Sequence, residues 1–259
     1  MYREIIRQLF APVSEALIED AEIASGSSVL DVATGPGEPA LRIADVVGSK
    51  GEVVGIDPAA GAIETARRAA ERLSLHNVHF ETAGADSLPF PDARFDAVVS
   101  RFGVMFFHSP VAGVREMLRV LRPGKKLALA AWHFRDDNPF HSVLARIVDA
   151  VLPPAQLAPD APDPFRHAAP GKLKAIVAEA GAINPVERLL RFSVGVPVSP
   201  EDFWDLRLEM SEKLRERLAA LPSDRFDDVR RRAIAAFQEY SRGSGLRFAA
   251  EVLLVSARK

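Results

Sequence analysis

Residues 28–44 read Ser-Val-Leu-Asp-Val-Ala-Thr-Gly-Pro-Gly-Glu-Pro-Ala-Leu-Arg-Ile-Ala, and this segment gives the clearest indication of the fold class. The nearly continuous apolar run at 28–33 is typical of a buried strand of a parallel sheet. Two glycines then predict a tight turn, and the residues from Glu38 onward favour a helix with proline at an early position. Strand, glycine turn and helix form the first unit of an α/β fold.

The same alternation continues along the chain. Short apolar strands are predicted at 52–56, 77–82, 95–100 and 126–132, with helices at 60–73 and 109–121 between them. Strands that alternate with helices of this length imply right-handed crossovers and a parallel sheet covered on both faces. The predicted fold class is therefore α/β, a Rossmann-like doubly wound sheet.

The composition changes after Trp132. Six prolines between Leu152 and Gly171 indicate a loop or lid. Helices are predicted at 171–180, 200–221 and 224–240, and strands at 186–196 and 247–257. The N-terminal segment to about Glu22 has apolar residues at three- and four-residue spacing, which predicts an amphipathic helix.

Composition and charge exclude several function classes. The 259 residues include no cysteine, so cysteine-ligated zinc, a thiol nucleophile and disulfides are excluded. The net charge of −2 is far from the basic field on which nucleic-acid binding usually depends. No run approaches 18 uncharged apolar residues, and no clustered ligand spacing suggests a metal site. We expect a cytoplasmic protein with no membrane span, no nucleic-acid partner and no metal; the oligomeric state stays open.

The glycine turn has the pattern of a nucleotide site. Residues 35–40 satisfy G-x-G-x-x-G/A, and Asp57 lies 20 residues beyond Gly37 at the end of the second predicted strand. Each hydrogen bond from a ribose hydroxyl to such a carboxylate is worth roughly 1.5 to 3 kcal/mol. The pattern between a strand and a helix therefore favours a nucleotide-type ligand.

Two further acids narrow the choice of nucleotide. Asp31 ends the first strand, and Glu38 stands in the first turn of the helix, where a pyrophosphate would bind. Two such like charges repel by about 4 kcal/mol at an effective dielectric near 20, so NAD, FAD and ATP are disfavoured. S-adenosylmethionine is favoured because it has a ribose, positive charge and no phosphate. The alternatives are an NAD(P)-dependent oxidoreductase, which the glycine pattern alone allows, and a non-catalytic binding protein that keeps the cofactor fold.

Four segments together resemble a known family. Residues 29–37, 54–57, 88–98 and 118–124 are similar to successive motifs of class I S-adenosylmethionine-dependent methyltransferases, in particular the ubiquinone/menaquinone-biosynthesis-like (methyltransferase type 11) group that acts on small molecules. The resemblance implies a seven-stranded sheet with an antiparallel last strand, for which 247–257 is the candidate. It also implies transfer of a methyl group to the oxygen, carbon or nitrogen of a small, partly apolar acceptor, with S-adenosylhomocysteine as product.

The resemblance also implies a division of the chain. Residues 1–259 form a single methyltransferase domain with an N-terminal helical cap at 1–27 and a cofactor-binding core at 28–135. An acceptor or lid region with a helical insertion follows at 136–246, and the closing strand is 247–259.

By the same resemblance, Asp31 and the turn hold the methionyl part of the cofactor, Asp57 the ribose and Pro58 the adenine. The acid that usually binds the adenine amino group is replaced by Gly84, so Ala85 and Asp86 are the candidates there. The implied cofactor-binding residues are Asp31, Ala33, Thr34, Gly35, Gly37, Asp57, Pro58, Ala85, Asp86, Ser100, Arg101 and Phe102.

The sequence indicates the acceptor-binding and catalytic residues less clearly than the cofactor-binding residues. A sulfonium is already an activated leaving group, so no catalytic residue is obligatory. Candidate bases are His108, His133 and His141, and candidate acceptor-pocket residues are Phe10, Met105, Phe106 and Phe140. For each of these residues, a structural role or packing in the core is the alternative.

Overall fold

The computed structural model describes residue 5, residues 8–153 and residues 161–259. Part of the predicted N-terminal helix (1–4 and 6–7) and part of the proline-rich segment (154–160) lie outside the described residues. The strands are β1 Ser28–Val32, β2 Glu52–Asp57, β3 Val78–Thr82, β4 Phe95–Arg101, β5 Leu121–Trp132, β6 Ile183–Val196, β7 Ser241–Arg242 and β8 Gly245–Arg258. The helices are α1 Ala11–Asp20, α2 Ala40–Val47, α3 Ala60–Arg72, α4 Pro110–Val120, α5 Pro139–Val151, α6 Lys172–Glu179, α7 Pro200–Met210, α8 Glu212–Ala219 and α9 Ser223–Gln238.

The strands form one mixed sheet with the order β3-β2-β1-β4-β5-β8-β6, and the short β7 pairs with β8. The pairs β1–β2, β2–β3, β1–β4 and β4–β5 are parallel. Strand β8 runs antiparallel to β5, with Lys126 opposite Arg258 and Trp132 opposite Val252. The predicted doubly wound α/β fold and its antiparallel last strand are confirmed.

Several predicted element bounds are wrong. Helix α5 is absent from the prediction. The predicted helix at 200–221 is two helices, because Ser211 ends α7 and caps α8 by accepting a hydrogen bond from the backbone N–H of Leu214 at 3.2 Å. Strand β5 begins at Leu121, which pairs with Phe95 across a register irregularity.

The chain divides into two compact units. The larger unit comprises 12–133, 161–190 and 252–259, and the smaller unit comprises 1–11, 134–160 and 191–251. In the larger unit, the central strands β1 and β4 are almost entirely buried. In the smaller unit, the side chains of Phe140, Phe203, Phe237 and Phe248 are each at most 1% exposed. Each unit therefore has its own apolar core.

Candidate active site

The loop after β1 is organised around Asp31. This side chain is fully buried, and its Oδ2 accepts hydrogen bonds from Thr34 Oγ1 at 2.6 Å and from the backbone N–H of Ala40 at 3.1 Å. The backbone of Ala33, Gly35 and Gly37 is left-handed, with φ of 60°, 56° and 110°. Asp31 thus joins the end of the strand, the glycine turn and the start of α2.

Burial changes the ionisation of Asp31. Among the described residues, its Oδ1 has no hydrogen-bond partner. Loss of hydration is the largest cause that raises the pKa of this carboxyl, to about 7, although the hydrogen bond from Thr34 and the charge of Arg101 act in the opposite direction. Near neutral pH the protonated and the ionised forms of this carboxyl are therefore both populated.

The carboxylate of Asp57 is held at the end of β2. Its Oδ2 accepts a hydrogen bond from the backbone N–H of Gly35 at 3.0 Å, and its Oδ1 accepts one from the backbone N–H of Ala59 at 2.9 Å. Asp57 is half-buried, so part of it still faces open space. Each carboxylate oxygen retains a further lone pair, so the group can accept hydrogen bonds from a ligand.

A cavity of about 480 Å³ opens beside these two loops, within the larger unit. It is lined by Val32, Ala33, Asp57, Pro58, Ala83, Gly84, Ala85, Asp86, Phe102, Gly103, Phe106, Phe107 and His108. Two of these lining residues are acids and none is lysine or arginine. The cavity therefore favours a neutral or cationic ligand and disfavours a polyphosphate.

The wall that follows β4 is tightly packed. The Phe102 backbone is left-handed, with φ of 64°, and its ring stacks on Trp132 with centroids 4.3 Å apart. A Cβ on Gly103 would lie 2.4 Å from the Cβ of Ala33, so only glycine fits there. Ser100 donates a hydrogen bond from Oγ to the carbonyl of Val32 at 2.7 Å. These contacts fix the end of β4 against the end of β1.

The structure brings together several of the predicted site residues. Those that line the cavity are Ala33, Asp57, Pro58, Ala85, Asp86, Phe102, Phe106 and His108. Of the other predicted cofactor residues, Asp31, Thr34 and Ser100 are buried next to it, and Arg101 donates a hydrogen bond to Ser14 Oγ at 2.8 Å. Gly35 and Gly37 belong to the turn itself.

The remaining candidates lie elsewhere. Met105 is 1% exposed and packs in the core of the larger unit, and His133 is half-buried in that unit. Phe10, Phe140 and His141 belong to the smaller unit.

Sequence reasoning misses some of the residues that line the cavity, namely Val32, Ala83, Gly103 and Phe107. Val32, Ala83 and Gly103 lie at or just beyond the ends of β1, β3 and β4, where ligands bind in open parallel sheets. That rule could have identified these three positions. Phe107 lies further along, after the short 3₁₀ turn at Val104–Phe106, and it belongs to the same aromatic cluster of the sequence as the predicted Phe106.

The sheet has an antiparallel strand beside β5, and the cavity at the strand ends contains acids without lysine or arginine. Both features match what the sequence resemblance to class I S-adenosylmethionine-dependent methyltransferases implies.

Comparisons with known proteins agree with this class. The profile of the methyltransferase domain family matches residues 29–124. The ubiquinone/menaquinone biosynthesis C-methyltransferase UbiE of Shewanella woodyi is 34% identical over 133 residues, which are 51% of each chain. UbiE of Pseudomonas paraeruginosa is 33% identical over 178 residues, which are 63% of this chain and 68% of the relative. The chain belongs to the class I methyltransferases of the UbiE type.

The structural comparison concerns the fold alone. YcgJ of Bacillus subtilis superposes with a TM-score of 0.62 at 21% identity, covering 96% of this chain and 98% of that one. The chain spans about half the length of the first curated relatives it matches. The family prediction is confirmed, and the oxidoreductase alternative is not favoured. In the part of the chain that the structure describes, no helix is both long and apolar enough to cross a bilayer.

Proposed function

We propose that this protein transfers the methyl group of S-adenosylmethionine to the oxygen, carbon or nitrogen of a small, partly apolar metabolite and releases S-adenosylhomocysteine. The observation that carries this proposal is the charge of the cavity, which has the carboxylates of Asp57 and Asp86 and no lysine or arginine among its lining residues. A ligand with a ribose, an adenine and a positive charge fits that lining, whereas the diphosphate of a dinucleotide would meet two carboxylates and no lysine or arginine among the lining residues.

In this proposal, Asp57 accepts hydrogen bonds from the ribose hydroxyls. Its two existing hydrogen bonds, from Gly35 and Ala59, fix the carboxylate before the ligand arrives, so binding does not have to order it. The adenine lies against Pro58 and the segment from Ala83 to Asp86. The backbone of Ala85 and the carboxylate of Asp86 are the groups that can form hydrogen bonds with the edge of the adenine.

The methionyl part lies along the glycine turn and the backbone from Ser100 to Phe102. Asp31 stabilises that turn because it accepts hydrogen bonds from Thr34 and from the backbone N–H of Ala40. The bound cofactor would supply an activated methyl group on a sulfonium. The protein then has to hold the acceptor in line with that methyl group and exclude water. His108, which lines the cavity and is exposed, is the candidate to accept a proton from a hydroxyl acceptor.

Calorimetry with S-adenosylhomocysteine tests the cofactor half of the proposal. We expect micromolar binding to the full chain and much weaker binding of NADH. The acceptor half is tested by incubating a cell extract with methyl-labelled cofactor and the protein, followed by mass spectrometry of the small molecules. A labelled product that depends on the protein supports methyl transfer. Tight cofactor binding without any labelled product, over a broad metabolite panel, would instead favour the non-catalytic binding protein.

A further inference from the structure

Two glycines in the lining of the cavity differ in what surrounds them. A Cβ on Gly103 would lie 2.4 Å from the Cβ of Ala33, so packing excludes a side chain at that position. A Cβ on Gly84 would have no atom within 4 Å in the part of the chain that the structure describes. Gly84 therefore borders open space that a side chain could occupy.

The backbone does not require glycine at position 84 either. Gly35 and Gly37 have left-handed φ values of 56° and 110°, which favour glycine, whereas the φ of Gly84 lies outside that region. Where alanine fits, glycine also disfavours the folded state, because it gives the unfolded chain more conformational freedom. Neither backbone geometry nor packing accounts for a glycine here, which leaves the space that it opens.

That space lies at the base end of the proposed ligand site. In the proposed function, the adenine lies against Pro58 and residues 83–86, and its edge forms hydrogen bonds with Ala85 and Asp86. Gly84 is exposed and lines the same cavity as these residues. The missing side chain therefore leaves room beside the edge of the adenine that carries its exocyclic amino group.

The rest of the lining indicates which kind of group suits this room. Phe106 lines the cavity with 52% of its surface exposed, so its ring offers apolar surface to a ligand. The acids Asp57 and Asp86 disfavour an anionic group. We propose that Gly84 is a specificity-determining residue that opens the base end of the cavity, so that the site accepts an adenosyl ligand with an apolar substituent on the exocyclic amino nitrogen of its adenine.

The substituted ligand keeps its means of recognition. One N–H remains on the amino nitrogen, so this nitrogen can still donate a hydrogen bond to the loop. Selection against the substituent would need a side chain that clashes with it, and Gly84 supplies none. This inference rests on the proposed function, from which it takes the position of the base.

The test compares two ligands by isothermal titration calorimetry on this chain: S-adenosylhomocysteine, and its analogue with a benzyl group on the adenine amino nitrogen. The readout is the dissociation constant of the analogue divided by that of the parent compound. In the wild type, this ratio should stay below about three. In Gly84→Val, the added side chain takes up the open space, and the ratio should rise about tenfold or more.

The matched control is Gly195→Val. Gly195 is an exposed glycine of β6 in the smaller unit, does not line the cavity, and also has open space where a Cβ would lie. The ratio for this variant should equal that of the wild type.

Two results would overturn the inference and leave the proposed function intact. One is a wild-type protein that binds S-adenosylhomocysteine but gives a ratio above about three. The other is a folded Gly84→Val variant whose ratio does not rise. If Gly84→Val does not fold by circular dichroism, or binds neither ligand, Gly84→Ala takes its place; its ratio should rise several-fold, and an unchanged ratio would contradict the role of Gly84. A wild-type protein that binds neither ligand would overturn the inference together with the proposed function.

Discussion

Removing the carboxylate of Asp57 should weaken cofactor binding more than it weakens the fold. In the proposed complex, this group accepts hydrogen bonds from ribose hydroxyls, and hydrogen bonds to a charged group are worth about 1.5 to 3 kcal/mol. The Asp57→Ala variant should therefore bind S-adenosylhomocysteine about 10- to 150-fold more weakly. Isothermal titration calorimetry on the full chain measures this change directly.

The same substitution removes two hydrogen bonds within the protein, from the backbone N–H groups of Gly35 and Ala59. Because Asp57 is half-buried, water can replace the carboxylate there, and we expect a loss of only about 1 kcal/mol in the free energy of unfolding. Asp57→Asn keeps one acceptor oxygen without the charge and should give an intermediate affinity. Asp45→Ala, an exposed acid on α2, is the control and should change neither quantity.

An unchanged dissociation constant for S-adenosylhomocysteine in a folded Asp57→Ala variant would show that Asp57 does not bind the ribose. The carboxylate would then serve only to hold the loop.

Three further predictions concern the same unit. Burial raises the pKa of Asp31 from an ordinary 3.8 to about 7, so the contribution of this carboxyl to stability is present at low pH and is lost as the pH rises from about 4 to 7. Between pH 5 and pH 8, the free energy of unfolding of Asp31→Asn, measured with urea, should therefore rise by about 2 to 3 kcal/mol relative to that of the wild type. A difference that stays constant over this pH range would contradict the prediction. Arg166 donates a hydrogen bond to the carbonyl of Phe107, a lining residue, at 2.9 Å. Arg166→Ala should therefore loosen the cavity wall and weaken binding of S-adenosylhomocysteine about three- to tenfold, as measured by calorimetry. An unaltered affinity would show that Arg166 does not support the cavity wall. Gly103→Ala should destabilise the protein by about 1 to 3 kcal/mol in thermal unfolding, because the added Cβ has no space. Gly61→Ala is the control and should not destabilise it, since a Cβ there meets open space. Equal effects of the two substitutions would contradict the packing described.

Most of the fold could be predicted from the sequence, because local patterns determine it. Short strands of five to seven residues, rich in valine, mark β1, β2 and β4, and they alternate with helices of ordinary length. Helix α5 is absent from the prediction, although it begins at Asn138-Pro139, a pair that is typical of a helix start. The helix break at Ser211 is not predicted, because a serine among apolar residues at helical spacing is compatible both with the N-cap of a new helix and with the interior of a continuous one.

The cavity was predicted in part. Ala33, Asp57 and Pro58 follow from the glycine pattern and the strand ends. By contrast, the burial of Asp31 beneath the turn depends on how Thr34 and Ala40 fold back onto it, and no spacing rule reports that.

In the proposed function, the cavity beside β1 and β2 accepts a nucleoside without phosphate. A calorimetric comparison of S-adenosylhomocysteine and NADH on the same sample of this chain, at moderate ionic strength, tests this selectivity. We predict micromolar binding of S-adenosylhomocysteine and binding of NADH at least about a hundredfold weaker, because the cavity offers a diphosphate two carboxylates and no lysine or arginine. Tighter binding of NADH than of S-adenosylhomocysteine would show that the cavity does not select a nucleoside without phosphate.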